Sequence, residues 1–272
     1  MARPVALNES GLTTAHDKPT GPVEAEHAAA LLVLAKKAKV VGLTGDGMQY
    51  TPATTDAVKT LDQQAALLAD FDPTRQLAGR NQALAFWINL YNAMVIHAAL
   101  SFGVRKAMTE IPHFFKRAVY RIGHLDYNLD VIEHGLLRAN RGHPLRFGLP
   151  QLLPWDPRRS LVLRPFDPRI HFALNCGAVS CPPIRSYSAK NMNQELNLAA
   201  RSFVSGGGVS VDPDTGRVLL SRIFLWYARD FGWTKRRQLA AAMTYMDDDQ
   251  KSTVTTAAAN GIGYADYDWS FA

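Results

Sequence analysis

The chain has 272 residues, 47% of them hydrophobic and 20% charged, with two cysteines and a net charge of +6. That composition belongs to a chain able to bury a core, and it excludes disordered, collagen-like and low-complexity classes. Two cysteines exclude a disulfide-dense scaffold, and they exclude a zinc site built from four thiolates. The positive charge is concentrated: residues 105–185 carry 13 Lys/Arg against 6 Asp/Glu, a local +7 that leaves −1 for the rest. Such a bias favours an anionic small molecule or peptide as substrate. The arginines are interspersed with apolar residues and form no basic helix or arm, so nucleic acid is not an expected partner.

Residues 1–21 hold Pro4, Pro19, Gly11 and Gly21 among polar residues and read as a loose tail. They contain no apolar run of signal-peptide length, which gives a cytoplasmic location as the expectation. From residue 22 to 272 no domain boundary or repeat is visible. Val23–Val40 is Ala/Leu-rich and predicts a helix, and Thr44-Gly45-Asp46-Gly47 a turn. Across 54–70, Val58, Leu61, Ala65 and Leu68 have helical spacing, with Thr54 or Thr55 as the cap.

The strongest helix signal is Arg80–Leu100, where Gln82, Phe86, Asn89 and Ala93 share a face. Its apolar stretch is interrupted by Asn89, Asn92 and His97, which predicts a buried helix and no membrane span. Tyr120, Ile122, Leu125 and Tyr127 flank Gly123-His124 and predict a hairpin. Asn128 then reads as the cap of a helix that carries Leu129, Ile132 and Leu136 on its apolar face. Residues 140–168 hold six prolines and predict a long irregular segment. Arg169–Asn175 predicts a short buried strand, ended by Cys181-Pro182-Pro183. Ser188 predicts a helix cap, Asp212–Gly216 a hairpin turn, and 221–231 an aromatic-rich helix. The aromatic 264–271 segment is expected to dock on the core. The fold class expected is α+β: a single, mostly helical domain over 22–272 with short hairpins and a small sheet.

Five segments carry a family resemblance: NQALAFWINLYNAMVIHA (81–98), LDVIEHGLLR (129–138), DPRIHFALNCGAVSCPPIRSY (167–187), LSRIFLWYARDFG (220–232) and YDWS (267–270). In this order they resemble the Domain of Unknown Function 547 family, over about residues 56–272. The resemblance implies one α-rich α+β domain, found in bacterial proteins that are often exported and in plant proteins behind a coiled coil. It implies no established activity. The resemblance implies that plant relatives keep the first cysteine, the position of Cys176, and often have Ser at the position of Cys181, which argues against an obligatory Cys176–Cys181 disulfide.

Chemistry is therefore read from the residues. Cys176 precedes Gly177 and Ala178, small residues that permit close backbone approach to a substrate carbonyl. A reactive thiolate needs a cationic or hydrogen-bonding neighbour, which histidine usually supplies. His134 is the better base, because His171 and Cys176 would face opposite sides of an ideal strand; His171 is the other candidate. Glu133 is the orienting carboxylate, although neighbours on a helix diverge by about 100°. Alternatively Glu133 pairs with Arg169 or Arg185. Asn89 is a positioning amide, with Gln82 beside it on the helix, and Arg138, Arg169, Arg185 and Asn175 are candidates for binding substrate.

Cys181 reads as a turn or core residue, His97, His113, His124 and His143 as fillers, and Trp226, Tyr227, Phe231 and Trp269 as core. His134, His171, Cys176 and Glu133 are possible mixed metal ligands, but they lack recognised spacing, so no metal or other cofactor is expected. The leading reading is a cysteine-dependent hydrolase or acyl transferase. The second is a non-catalytic domain that binds a protein partner, with the same polar residues as a structural network.

Overall fold

The computed structural model describes residues 3–9, 24–44, 47–144 and 149–270. In chain order the main elements are β1 (Val5–Ala6), α1 (His27–Ala38), β2 (Lys39–Thr44), β3 (Gly47–Pro52), α2 (Thr55–Ala66), α3 (Pro73–Gln76) and α4 (Arg80–Ser101). They are followed by α5 (Phe114–Arg117), β4 (Ala118–Ile122), β5 (Leu125–Asn128) and a π-helix, Val131–Leu137. The second half holds α6 (Met192–Phe203), β6 (Val209–Val211), β7 (Val218–Leu220), α7 (Arg222–Trp226), α8 (Lys235–Met243), α9 (Asp248–Ala257) and β8 (Ile262–Tyr264). The architecture is α+β and mostly helical, as the sequence predicts.

The sheets are small and each joins distant pieces of chain. β4 and β5 form the expected hairpin, with Gly123 at φ 57° in its turn, and β1 adds in parallel to β4. β6 and β7 form the hairpin around Asp212–Gly216, with Gly216 at φ 63°, and β8 joins β7 in parallel. β2 and β3 make a third, two-stranded sheet. Its Gly45 and Asp46, part of the expected turn, lie outside the described residues.

Of the segment expected to be a loose tail, residues 3–9 are docked. Asn8 donates to the carbonyls of Ala65 and Arg121 and accepts from the Arg121 N–H at 2.8 Å, while Leu7 is buried. The remainder of 1–21 lies outside the described residues. Thr54 caps α2 by accepting from the Ala57 N–H.

α4 is the axis of the larger apolar cluster and is buried on every face from Ala83 to Ala99, with α1 packed along it. It is the one helix among the described residues long and apolar enough to cross a membrane, and 94% of that apolar window is buried inside the protein. A helix without a solvent face must satisfy its own polar side chains. His97 does so with the Tyr120 hydroxyl and Asp62, each at 2.7 Å. Asn89 and Asn92 do so with the segment that carries the cysteines. A second apolar cluster gathers Phe172, Phe203, Phe224 and Phe231 with α6, α8 and α9.

The predicted strand at 169–175 is instead a 3₁₀ helix, Pro168–Phe172. Asp167 accepts from the Arg169 N–H as its cap and Pro168 sits in its first turn. That capping signature outweighs a short apolar run, whose periodicity cannot separate strand from buried helix. The helix expected to start at Ser188 begins at Met192; Ser188 donates its N–H and hydroxyl to the Glu195 carboxylate and its Oγ accepts from the Asn191 N–H just ahead of the helix. The 221–231 helix is broken into α7 and a short 3₁₀ turn, Ala228–Asp230.

Candidate functional site

Among the described residues the cysteine segment belongs to none of the three sheets, and α4 supplies backbone bonds at both its ends. Asn92 donates to the Ala173 carbonyl and accepts from the Asn175 N–H, both at 2.9 Å. Asn89 brackets the other end, donating to the Tyr187 carbonyl at 2.8 Å and accepting from its N–H at 2.9 Å. Between these anchors Asn175 folds inward, donating to the Pro182 carbonyl and accepting from the Gly177 N–H. Gly177 has φ 89°, a conformation that favours glycine. Asn89 and Asn175 are thus positioning amides fully occupied by the backbone. Gln82 caps the start of α4 by accepting from the Ala78 N–H.

The C-terminal segment closes over this loop. The Val179 N–H donates to the Ser270 carbonyl and the Ser180 N–H to that of Asp268. This brings the Tyr267 hydroxyl to 3.4 Å from Cys176 Sγ and 3.1 Å from Cys181 Sγ. Cys181 Sγ also accepts the Cys176 N–H at 3.1 Å. Among the described residues neither thiol has a histidine as hydrogen-bond partner. The two sulfurs therefore differ. Burial works against the Cys181 thiolate, but bonds from Cys176 and Tyr267 outweigh it and hold its pKa below the ordinary thiol value. Cys176, hydrogen-bonded to Cys181 and buried, is pushed well up. The sequence reading favoured Cys176 and set Cys181 aside; in the structure it is Cys181 Sγ that receives the additional backbone donor.

Both sulfurs line a half-open cavity of about 340 Å³. Tyr91, Glu133, His134 and His171 line it too. Phe115, Leu174, Ile223, Trp226, Tyr227 and Trp269 supply apolar wall. The Trp226, Tyr267 and Trp269 rings pack on one another with centroids 4.7–5.4 Å apart.

Two buried carboxylates organise the floor. Glu133 accepts from the Tyr91 hydroxyl at 3.0 Å and the Tyr227 hydroxyl at 2.5 Å. Burial would raise the Glu133 carboxyl, yet His134, Tyr227 and Arg138 together hold it below its ordinary value. Burial and this carboxylate push the Tyr91 and Tyr227 hydroxyls well up, so both remain donors. Asp230, whose side chain is fully buried, accepts from Arg138 Nε and His171 Nε2, each at 2.8 Å, and from Arg141 Nη1 at 2.9 Å. Burial opposes its charge, but His171 and Arg138 outweigh it and hold the carboxyl well below the usual range.

The π-helix carries Glu133 and His134. Its wider turns are closed by the Arg138 N–H on the Glu133 carbonyl and the Asn140 N–H on that of Gly135. The Asn128 side chain accepts from the Val131 N–H at its start, as the sequence predicts. His134 Nδ1 lies 3.5 Å from Glu133 Oε1 and accepts from Arg138 Nη1 at 3.0 Å. Burial pushes the His134 pKa down to about 3, so its imidazole is neutral and weakly basic near neutral pH. His171 is also lowered by burial, against the pull of Asp230, and it stacks on the Tyr227 ring at 3.9 Å.

The structure corrects several other expectations. Glu133 pairs with neither Arg169 nor Arg185. Arg169 closes on Asp167 and reaches Asn193 and Asn197, and Arg185 donates to Ser202. Neither arginine lines the cavity, and Arg138 is neutralised by Asp230. His143, read as a filler, lines the cavity, as do Trp226, Tyr227 and Trp269, read as core. Asp230 and Tyr267 carried no assigned role in the sequence. The signals available were a lone acid within WYARDF and a tyrosine in the aromatic 264–271 segment.

Residues 74–204 match the family model described as protein of unknown function DUF547. Over these residues the chain is similar to that family, which supports a DUF547 family domain there. No curated protein and no solved structure matches it. The segment matching DUF547 contributes Tyr91, Glu133, His134, His171 and both cysteines. Tyr227, Asp230 and Tyr267, which fix the tyrosine donors, the buried arginines and the thiols, lie after it.

Proposed function

We propose that the cavity is the active site of a cysteine-dependent hydrolase or acyl transferase with Cys181 as the nucleophile. The observation that carries this reading is the Tyr267 hydroxyl held between two sulfurs at 3.4 and 3.1 Å on the wall of a cavity, with Cys181 taking the Cys176 N–H as well. Donors aimed at a sulfur favour thiolate without an adjacent imidazolium. In the reaction, the Cys181 thiolate bonds to an acyl carbon and the alcohol or thiol leaving group departs with a proton. Water or a second acceptor then cleaves the thioester and the thiol is regenerated.

The Gly177 and Cys181 amides are committed to Asn175 and to the Ala178 carbonyl. The Tyr267 hydroxyl and the Ala178 N–H, both directed at the sulfurs, are the donors available to a developing oxyanion. His171, fixed through Nε2 by Asp230, offers Nδ1 to the attacking water and is the preferred base over His134, whose Nδ1 is engaged by Arg138. The aromatic and aliphatic walls suit an apolar acyl group. The arginines named as anion binders are engaged by protein partners, which gives an acidic substrate no support.

The experiment is incubation of the purified chain with p-nitrophenyl esters of short and medium acyl length. Release of nitrophenol together with an acyl adduct on the Cys181 peptide by mass spectrometry, both lost in Cys181→Ser and kept in part in Cys176→Ser, is expected. Hydrolysis at the same rate in Cys181→Ser, with no adduct, removes the enzyme reading.

A further inference from the structure

Three cavity residues have no part in the thiol chemistry: Asp130, His134 and His143. One donor atom from each lies within 4.8 Å of the other two. Asp130 and His134 are four residues apart at the start of the π-helix, and both are buried. His143 comes from the loop that follows, its ring edge-on to that of His134 with centroids 4.9 Å apart. We propose that Asp130, His134 and His143 form a divalent transition-metal site open to the cavity, with zinc the ion their donors suit best.

Two imidazoles and one carboxylate are a donor set of catalytic zinc sites, which leave a fourth position to water or substrate. The donors around a tetrahedral zinc stand about 3.4 Å apart, so the ion draws these three inward. His143 is the ligand placed to move, since it lies in a loop and is half-buried. The surroundings of His134 fit the role. Arg138 and Glu133 stand at Nδ1, which leaves Nε2 as the ligating nitrogen. Binding of a metal at Nε2 puts the ring proton on Nδ1, so the Arg138 Nη1 bond to Nδ1 is given up and the proton turns to Glu133 Oε1, 3.5 Å away in the metal-free fold. Arg138 Nη1 then keeps its 2.7 Å bond to the Gly142 carbonyl.

The expectation of no metal rested on Cys176, His171, His134 and Glu133 as donors. The set that converges is a different one, recognisable in sequence only by the i, i+4 pair Asp130–His134. The site does not depend on which cysteine is nucleophilic.

The test is titration of the chelator-treated chain with Co²⁺, followed by absorption spectroscopy, and with Zn²⁺ by calorimetry. One equivalent should bind, with ligand-field bands and no sulfur-to-cobalt charge-transfer band. Affinity should fall at least tenfold in His143→Ala and in Asp130→Asn, and about 10–100-fold in Glu133→Gln. A cobalt–sulfur band would move the ion to Cys176 and Cys181 and overturn the assignment. So would absence of binding, or equal affinity in folded His143→Ala and Asp130→Asn, with thermal melts as the check of folding.

Discussion

Replacing Asp230 by Asn keeps the shape of the side chain and removes its charge. The wild-type carboxylate receives Arg138 through Nε and Nη2, Arg141 through Nη1, and His171 through Nε2. The Arg138 side chain is 2% exposed and the Asp230 side chain 0%, so water cannot replace what is lost. Removing one partner of a buried ion pair costs about 3–5 kcal/mol, because the other charge stays buried and unbalanced. An amide still accepts one or two of these hydrogen bonds, which places Asp230→Asn near the low end, roughly 3 kcal/mol. At about 2–4 °C per kcal/mol in a chain of this size, the melting temperature should fall by roughly 6–12 °C. Urea denaturation followed by circular dichroism measures the loss directly. The cause is tested by Arg138→Met in the Asp230→Asn background. If the stranded guanidinium is the problem, the double variant is more stable than the single one. A loss under about 1 kcal/mol in Asp230→Asn, or additive losses in the double variant, would refute the argument.

Two further outcomes follow from the same buried groups. His134 is neutral in the fold, with its pKa pushed down to about 3 by burial. The unfolded chain takes that proton near pH 6.5, so stability falls with pH below 6.5 until the folded group itself protonates near 3. The loss is about 2 kcal/mol between pH 7 and 5, read from urea midpoints, and His134→Gln should flatten the curve over that range. Asn92→Ala removes the donor to the Ala173 carbonyl and the acceptor for the Asn175 N–H, both buried. It should cost roughly 2–4 kcal/mol in the same assay and speed amide exchange across 173–178, whereas unchanged exchange would mean that α4 does not hold the loop.

Local chemistry was the legible part of the fold. The Asn128 cap, the Gly123 and Gly216 turns and the Thr54 cap all rest on interactions within a few residues, and each appears where the sequence placed it. The misreading at 169–175 is instructive because the deciding signal was present. Asp167-Pro168 is a helix start, but the apolar run beyond it matched a buried strand equally well. Only the fixed amides of Asn92, reaching from α4, decide how its backbone is satisfied.

For the candidate site, the members that anomalous polarity marks were readable: Glu133, His134, His171 and Cys176 all line the cavity. What composition could not give was their pairing. Tyr91, Tyr227 and Tyr267 read as apolar bulk until their hydroxyls are seen on Glu133 and the thiols. The ranking of the two cysteines depends on which sulfur receives the Cys176 N–H, a property of loop geometry with no signature in the sequence.

That ranking is the central claim, and thiol alkylation tests it most directly. The native chain is treated with a limiting amount of iodoacetamide at pH 6.5, and modification of the Cys176 and Cys181 peptides is followed over time by mass spectrometry. The account predicts that Cys181 reacts first, with a rate profile whose midpoint lies below the pH ~8.5 of an ordinary thiol, and that Tyr267→Phe shifts the midpoint upward by removing a donor to the thiolate. Faster modification of Cys176, or a lack of reaction at either sulfur until the chain is unfolded, would contradict it.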